Sequence, residues 1–400
     1  MNKKHIFVRP KRRFFEGSFF GHEKDLMKRI VLLVLGGLLI ACSSEDDPTS
    51  PNESSIGAAV NFDRSSMLAH WADAIIQPGY ADFLSQLQTL EARATQFTET
   101  PSDANLTALQ SQWENAYTVW QKISMFEIGP AEAINYRLNI NIYPSNTDLI
   151  LRNIQEGSYN LNLSSNRVAK GFPALDYLLF GLAETKNETL AFYSGSQGIA
   201  YGNYLLALIA DMKALTETVK MGWESGYRDT FVANDGNSAT ASVDRLVNDF
   251  IFYFEKHLRA GKMGIPAGVF SGAVMKQNIE ALYHGNYSKH LFLTGLIAVQ
   301  DFFNGKGYGD APDGQSLATY ITALNAVKEG ADLSLLINTQ FDQAKTRVAT
   351  LASFKEELQQ QPPIEFLEAY DTVQRLVPLL KVDMVSAMSI TIDFVDADGD

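Results

Sequence analysis

The chain has 400 residues, with 33 Lys and Arg against 46 Asp and Glu, a net charge of −13 and a single cysteine. So acidic a balance repels phosphate backbones and argues against nucleic acid as a partner, because such binding depends on Lys and Arg. One cysteine excludes an intramolecular disulfide framework and a multi-thiolate metal site, so the fold has to be held by packing.

Residues 1–26 are basic and aromatic without an apolar run, and Met27 is the expected start of translation. The basic pair Lys28-Arg29 precedes the twelve apolar or small residues Ile30 to Ala41. That is the pattern of an export signal, and it falls short of the roughly 20 residues needed to span a bilayer. The run ends in Leu39-Ile40-Ala41-Cys42, which resembles a bacterial lipobox. Cleavage before Cys42 and acylation of its thiol and amino group are therefore expected, with residues 1–41 removed. Several acyl chains, each gaining about 0.8 kcal/mol per buried methylene, anchor a protein to a membrane without threading it through. Residues 42–58 are rich in Ser, Glu, Asp and Pro and read as a flexible acidic tether. An acidic run directly after the cysteine also resembles the surface-export signal of Bacteroidetes lipoproteins, which implies the outer face of the outer membrane. The mature chain would carry 24 basic against 43 acidic residues, a net charge of −19 that favours cationic partners or metal ions.

From Asp63 onward the apolar period is helical. Leu106, Leu109, Trp113, Ala116, Tyr117 and Trp120 recur at three and four, as do Tyr204, Leu205, Leu208, Ile209, Met212 and Leu215. Further stripes run through Val243 to Phe254 and Phe366 to Leu376. Thr100-Pro101-Ser102-Asp103 offers a stop and a fresh N-cap, residues 222–226 and 234–237 read as turns, and Pro362-Pro363 separates two helices. Only Ser389 to Val395 alternates with period two, which predicts one short C-terminal strand. An all-α fold follows for residues 59–400. Irregular, Gly- and Pro-bearing stretches at 129–171 and 261–272 suggest crossovers in two antiparallel helical bundles, with halves at about 59–225 and 236–400.

Gly171-Phe172-Pro173-Ala174-Leu175-Asp176 is the most distinctive internal segment. Proline suits a first helical turn, and three residues' spacing puts Pro173 and Asp176 on one helix face. Other recognisable motifs are missing. There is no His-Glu-x-x-His and no Gly-x-Ser-x-Gly, while His284 and His290 are six apart, against the three or four of a helical zinc pair. Gly305, Gly307 and Gly309 follow a helical stripe and read as its termination, and His70 and His257 read as surface or core residues. Trp113, Tyr117, Trp120 and Phe126 have the spacing of core aromatics more than of a ligand platform.

The segment 171–176, together with Met67 to Asp73, Ile76 to Tyr80, Phe126-Glu127-Ile128-Gly129-Pro130 and Lys381 to Val385, resembles the imelysin family, also called M75 peptidase-like. The hallmark of that family is a Gly-x-His-x-x-Glu segment. Here Pro173 stands where the histidine belongs and Asp176 where the glutamate belongs, so the chain is similar to the subgroup with proline at this place. The resemblance implies a cleft between helical halves, with Glu127 across from Asp176. Those two carboxylates would be able to take iron or another divalent cation through oxygen, the alternative being that Asp176 is a helix first-turn acid satisfied by backbone N–H groups and the dipole. It also puts Lys262 at the cleft border, facing an anionic group, with Gly171 and Pro173 shaping the helix start. A histidine ligand is absent, so the implied activity is binding and not proteolysis, in connection with iron or haem uptake proteins of the envelope. The competing expectations are an M75-type metallopeptidase and a glycan-binding outer-membrane lipoprotein.

Overall fold

A computed structural model describes residues 62–394. The expected leader, Cys42 and the tether lie outside the described residues, as do the last six residues. Helix α1 (Arg64–His70) is capped by Asp63, whose carboxylate accepts the Ser66 amide, and it passes through a π-helical stretch, Trp71–Ile76, into α2 (Gln77–Glu99). Pro101 then lets the chain reverse. Helix α3 (Asp103–Ile123) begins where the sequence predicts, with the Ser102 hydroxyl accepting the Asn105 amide. The predicted stripe of α3 is buried throughout, and the Tyr117 ring stacks on Phe172 with centroids 4.1 Å apart.

After the short helices Pro130–Ala133, Tyr136–Ile140 and Thr147–Glu156 comes α4 (Gly171–Asp176), then a π-helical stretch, Tyr177–Gly181. Helix α5 (Gly198–Gly222) returns along α2. The break expected over residues 222–226 falls at its end. Gly222 is helical and packs closely against Pro130, and the chain breaks only at Gly226, whose φ is +133°.

In the second half, α6 (Ser242–Phe252) runs on as a π-helical segment, Tyr253–Gly264, so regular structure covers part of the stretch expected to be irregular. Helices α7 (Ser288–Phe303), α8 (Leu333–Ala349) and α9 (Ile364–Gln374) complete it. Helices α2, α3 and α5 pack as one bundle, and α7, α8 and α9 with the π segment as another. Packing of α3 against α7 joins the two, and one continuous apolar core runs through both. Strands among the described residues are limited to a hairpin, β1 (Val327–Lys328) with β2 (Ala331–Asp332), in antiparallel register Val327↔Asp332. The C-terminal strand expected from Ser389 onward does not form up to Phe394. In place of a partner strand, Asn248 donates to the Thr391 carbonyl and accepts the Asp393 amide, both at 3.0 Å. Alternation set the extended backbone, but a ladder needs a neighbouring strand, and among the described residues no strand pairs with it. No helix among the described residues is long and apolar enough to cross a membrane.

Candidate functional site

Helix α4 starts at Gly171 with φ +72°, a left-handed conformation that disfavours any side chain. A Cβ there would lie 2.1 Å from the Ile140 carbonyl oxygen, so the glycine is required by close backbone approach. Pro173 is buried at the third helical position, where its missing N–H has no intrahelical acceptor to lose. Asp176 ends the helix and is 1% exposed. Its two oxygens accept the backbone amides of Tyr283 and His284, each at 2.9 Å. Burial pushes its pKa up to about 7, while the two amide bonds and Lys355 pull it back.

Those amides belong to an irregular loop, residues 279–287, whose beginning is fixed by Glu280. The Glu280 carboxylate is 2% exposed and accepts from Lys262 at 2.5 Å, Asn141 at 2.8 Å, and Tyr117 and Gln121 at 3.1 Å each. The sequence points Lys262 at an anionic ligand; the structure gives it Glu280 and the Gln121 amide oxygen instead. A protein carboxylate fills that role because Lys262 lies on the inward face of the π segment, buried, where burial lowers its pKa and Glu280 draws it back up. At the Asp176 anchor the loop presents the His284 side chain. Its ring stacks on Phe180 at 4.3 Å and its Nε2 meets the Glu114 carboxylate at 2.6 Å. His290, near the start of α7, bonds instead to the Thr118 hydroxyl at 3.1 Å.

Glu127 stands in different surroundings. It lines a cavity of about 450 Å³ between the 127–138 segment, α6, the start of the π segment and the C-terminal residues Asp393 and Phe394. Its amide donates to Asp249 at 2.6 Å and its Oε2 accepts the Arg137 amide at 2.7 Å. Arg137 bridges to Asp249 at 3.1 Å and donates through Nε to the Ser124 carbonyl. Burial opposes the Arg137 charge, but Asp249 and Glu127 hold its pKa above the usual value. Burial likewise pushes the Glu127 carboxyl up to about 7 against the pull of Arg137. Across the cavity, burial and the charges of Arg137 and Lys262 push His257 well below its ordinary pKa, so the imidazole is neutral.

Glu127 and Asp176 thus share no bonding partner. Among the described residues no group of three or more His, Cys, Asp or Glu side chains is placed to hold a metal ion. A hallmark-type metal does not fit the residues present at α4, because Pro173 offers no donor atom and both Asp176 oxygens are engaged by amides.

A model of the imelysin family, described as Peptidase M75, matches residues 76–380. The chain belongs to the imelysin family. Two solved structures share the imelysin fold. An imelysin-like protein from Psychrobacter arcticum 273-4 is 18% identical with a TM-score of 0.64, over 85% of this chain and 100% of that one. A structure described as an iron-regulated protein A precursor from Parabacteroides distasonis ATCC 8503 is 15% identical with a TM-score of 0.68, over 84% and 98%. A search of curated proteins gave no match.

Sequence reasoning missed Arg137, Asp249 and Glu280, and it read His257 only as a surface or core residue. Asp249 carries a faint signal, an acid on a helix whose apolar stripe is otherwise wide. Glu280 carries none, because it lies in a loop and its partners are 18 to 163 positions away.

Proposed function

We propose that this imelysin-family chain is a non-proteolytic binding component of the cell envelope that serves iron or haem acquisition, held at the outer membrane through lipid on Cys42. The observation that carries the non-proteolytic part is the state of helix α4. Pro173 replaces the residue able to ligate, and Asp176 is spent on the Tyr283 and His284 amides. The segment that would hold a catalytic metal is used here to fix a loop. The iron connection is supported by family membership and by the fold shared with the Parabacteroides protein described as an iron-regulated protein A precursor. Anchoring is supported by the signal pattern around Leu39 to Cys42.

The test is a titration of the purified protein with haem and, separately, with ferric citrate, followed through tryptophan fluorescence. Saturable binding of either at micromolar levels agrees with the proposal, and flat titrations with both overturn the iron connection. Mass spectrometry of the amino-terminal peptide tests the anchor, which requires a diacylglyceryl mass on Cys42.

A further inference from the structure

We propose that the cavity bounded by Glu127, Phe252, His257, Asp393 and Phe394 is a binding site for a small organic cation, a primary ammonium carried on an apolar body. The inference rests on the reading of the chain as a binder and adds the class of ligand.

Charge on the cavity wall is the first argument. Four carboxylates and two guanidiniums line it. Arg137 is paired with Asp249, and Arg245 with Glu132. Glu127 and Asp393 remain, and neither has a cationic side chain bonded to its carboxylate among the described residues. One Glu127 oxygen accepts the Arg137 amide and the other receives no donor from the described residues. An anion entering this space would meet two carboxylates that no cationic side chain bonds, Glu127 being offset only through space by Arg137, whereas a cation would complete the set.

The second argument is the wall itself. Phe252 and Phe394 pack edge to face with centroids 5.3 Å apart, and Ile128 and Leu138 line the same space. Aromatic faces attract ammonium groups through their quadrupole. Phe394 already does so within the protein, since the Lys381 ammonium sits 5.3 Å from its centroid. His257 lies beside the rings of Phe252 and Tyr253 and makes no hydrogen bond to the described residues. As a neutral imidazole it offers one donor and one acceptor nitrogen without adding positive charge. A volume of about 450 Å³ is in the range of small-molecule sites. A bare metal ion suits the space poorly, because no metal-holding group of three side chains is found among the described residues.

The experiment is isothermal titration of the protein at pH 8 with benzylamine, with benzyl alcohol as the uncharged isostere and benzoate as the anion. Benzylamine is expected to bind one site at least tenfold more tightly than benzyl alcohol, and benzoate not to bind. Glu127→Gln should weaken benzylamine at least tenfold, while Glu91→Gln, on α2 where the carboxylate pairs with Lys213 outside the cavity lining, should leave it unchanged. If Glu127→Gln does not fold, Asp393→Asn on the exposed tail provides the second variant and should weaken binding at least threefold. Equal affinity for amine and alcohol, an unaffected variant, or no benzylamine isotherm overturns the site. Such a failure leaves the haem and ferric titrations unaffected, so the two proposals fail separately.

Discussion

Asp176 at the end of α4 accepts the backbone amide of Tyr283, 107 positions later in the chain, at 2.9 Å, and with its other oxygen it takes the His284 amide. A buried carboxylate that satisfies two loop amides ties the first bundle to the loop leading into α7. Asn offers only one acceptor oxygen, and its NH2 would face an amide N–H. Asp176→Asn is therefore expected to cost about 1–3 kcal/mol, the penalty of one buried donor left unpaired. Denaturant unfolding measures it, and binding at the Glu127 cavity should be unchanged.

Gly171→Ala should be harsher. The new methyl would sit 2.1 Å from the Ile140 carbonyl oxygen at a φ of +72°, so strain and clash act together. A loss of about 1–3 kcal/mol is expected from the backbone conformation alone, before the clash is added. Thermal unfolding checks it, and a variant as stable as the parent would show that the close approach is not real.

Lys262 and Glu280 form a pair inside the core, with Gln121, Tyr117 and Asn141 completing the set. Removing one partner leaves a charge buried and unpaired. Lys262→Met and Glu280→Gln should each cost about 3–5 kcal/mol, with the double variant losing clearly less than the sum. Equilibrium unfolding of all four proteins gives the coupling. Additive losses would mean the two groups do not depend on each other.

Glu127 makes stability depend on pH. Its folded pKa of about 7 lies above the ordinary 4.5, so the unfolded chain ionises first as pH rises. The stability it contributes is fully present below about pH 4.5 and is lost as pH climbs through 7. The groups around it are Arg137, Glu132 and Tyr136 on its own segment, Tyr80 on α2, Asp249 and Arg245 on α6, His257 on the π segment and Asp393 at the tail. Gln keeps an acceptor for the Arg137 amide without the charge. Glu127→Gln should match the parent near pH 4.5 and be about 1–3 kcal/mol more stable at pH 8. Melting temperatures of both proteins across that range decide the matter.

The helical architecture was legible because amphipathic spacing is local. The stripe from Leu106 to Trp120 is buried as predicted, and Ser102 caps the helix it was expected to cap. Gly171 and Pro173 were also readable, since their roles are backbone roles. The polar interior was not. Asp249 meets Arg137 across 112 positions and Asp176 meets His284 across 108, and no period in a single sequence records such pairings. The C-terminal segment misled because alternation specifies an extended chain but not a partner, and a side chain, Asn248, supplied the partner.

The central claim is that helix α4 holds a loop and not a catalytic metal. The most direct measurement is incubation of the purified protein with a fluorogenic peptide library, in parallel with zinc, with ferrous iron and with a chelator. The account predicts no cleavage above the buffer rate under any of the three conditions. Turnover that rises with metal, stops with the chelator and disappears in Asp176→Asn would contradict it.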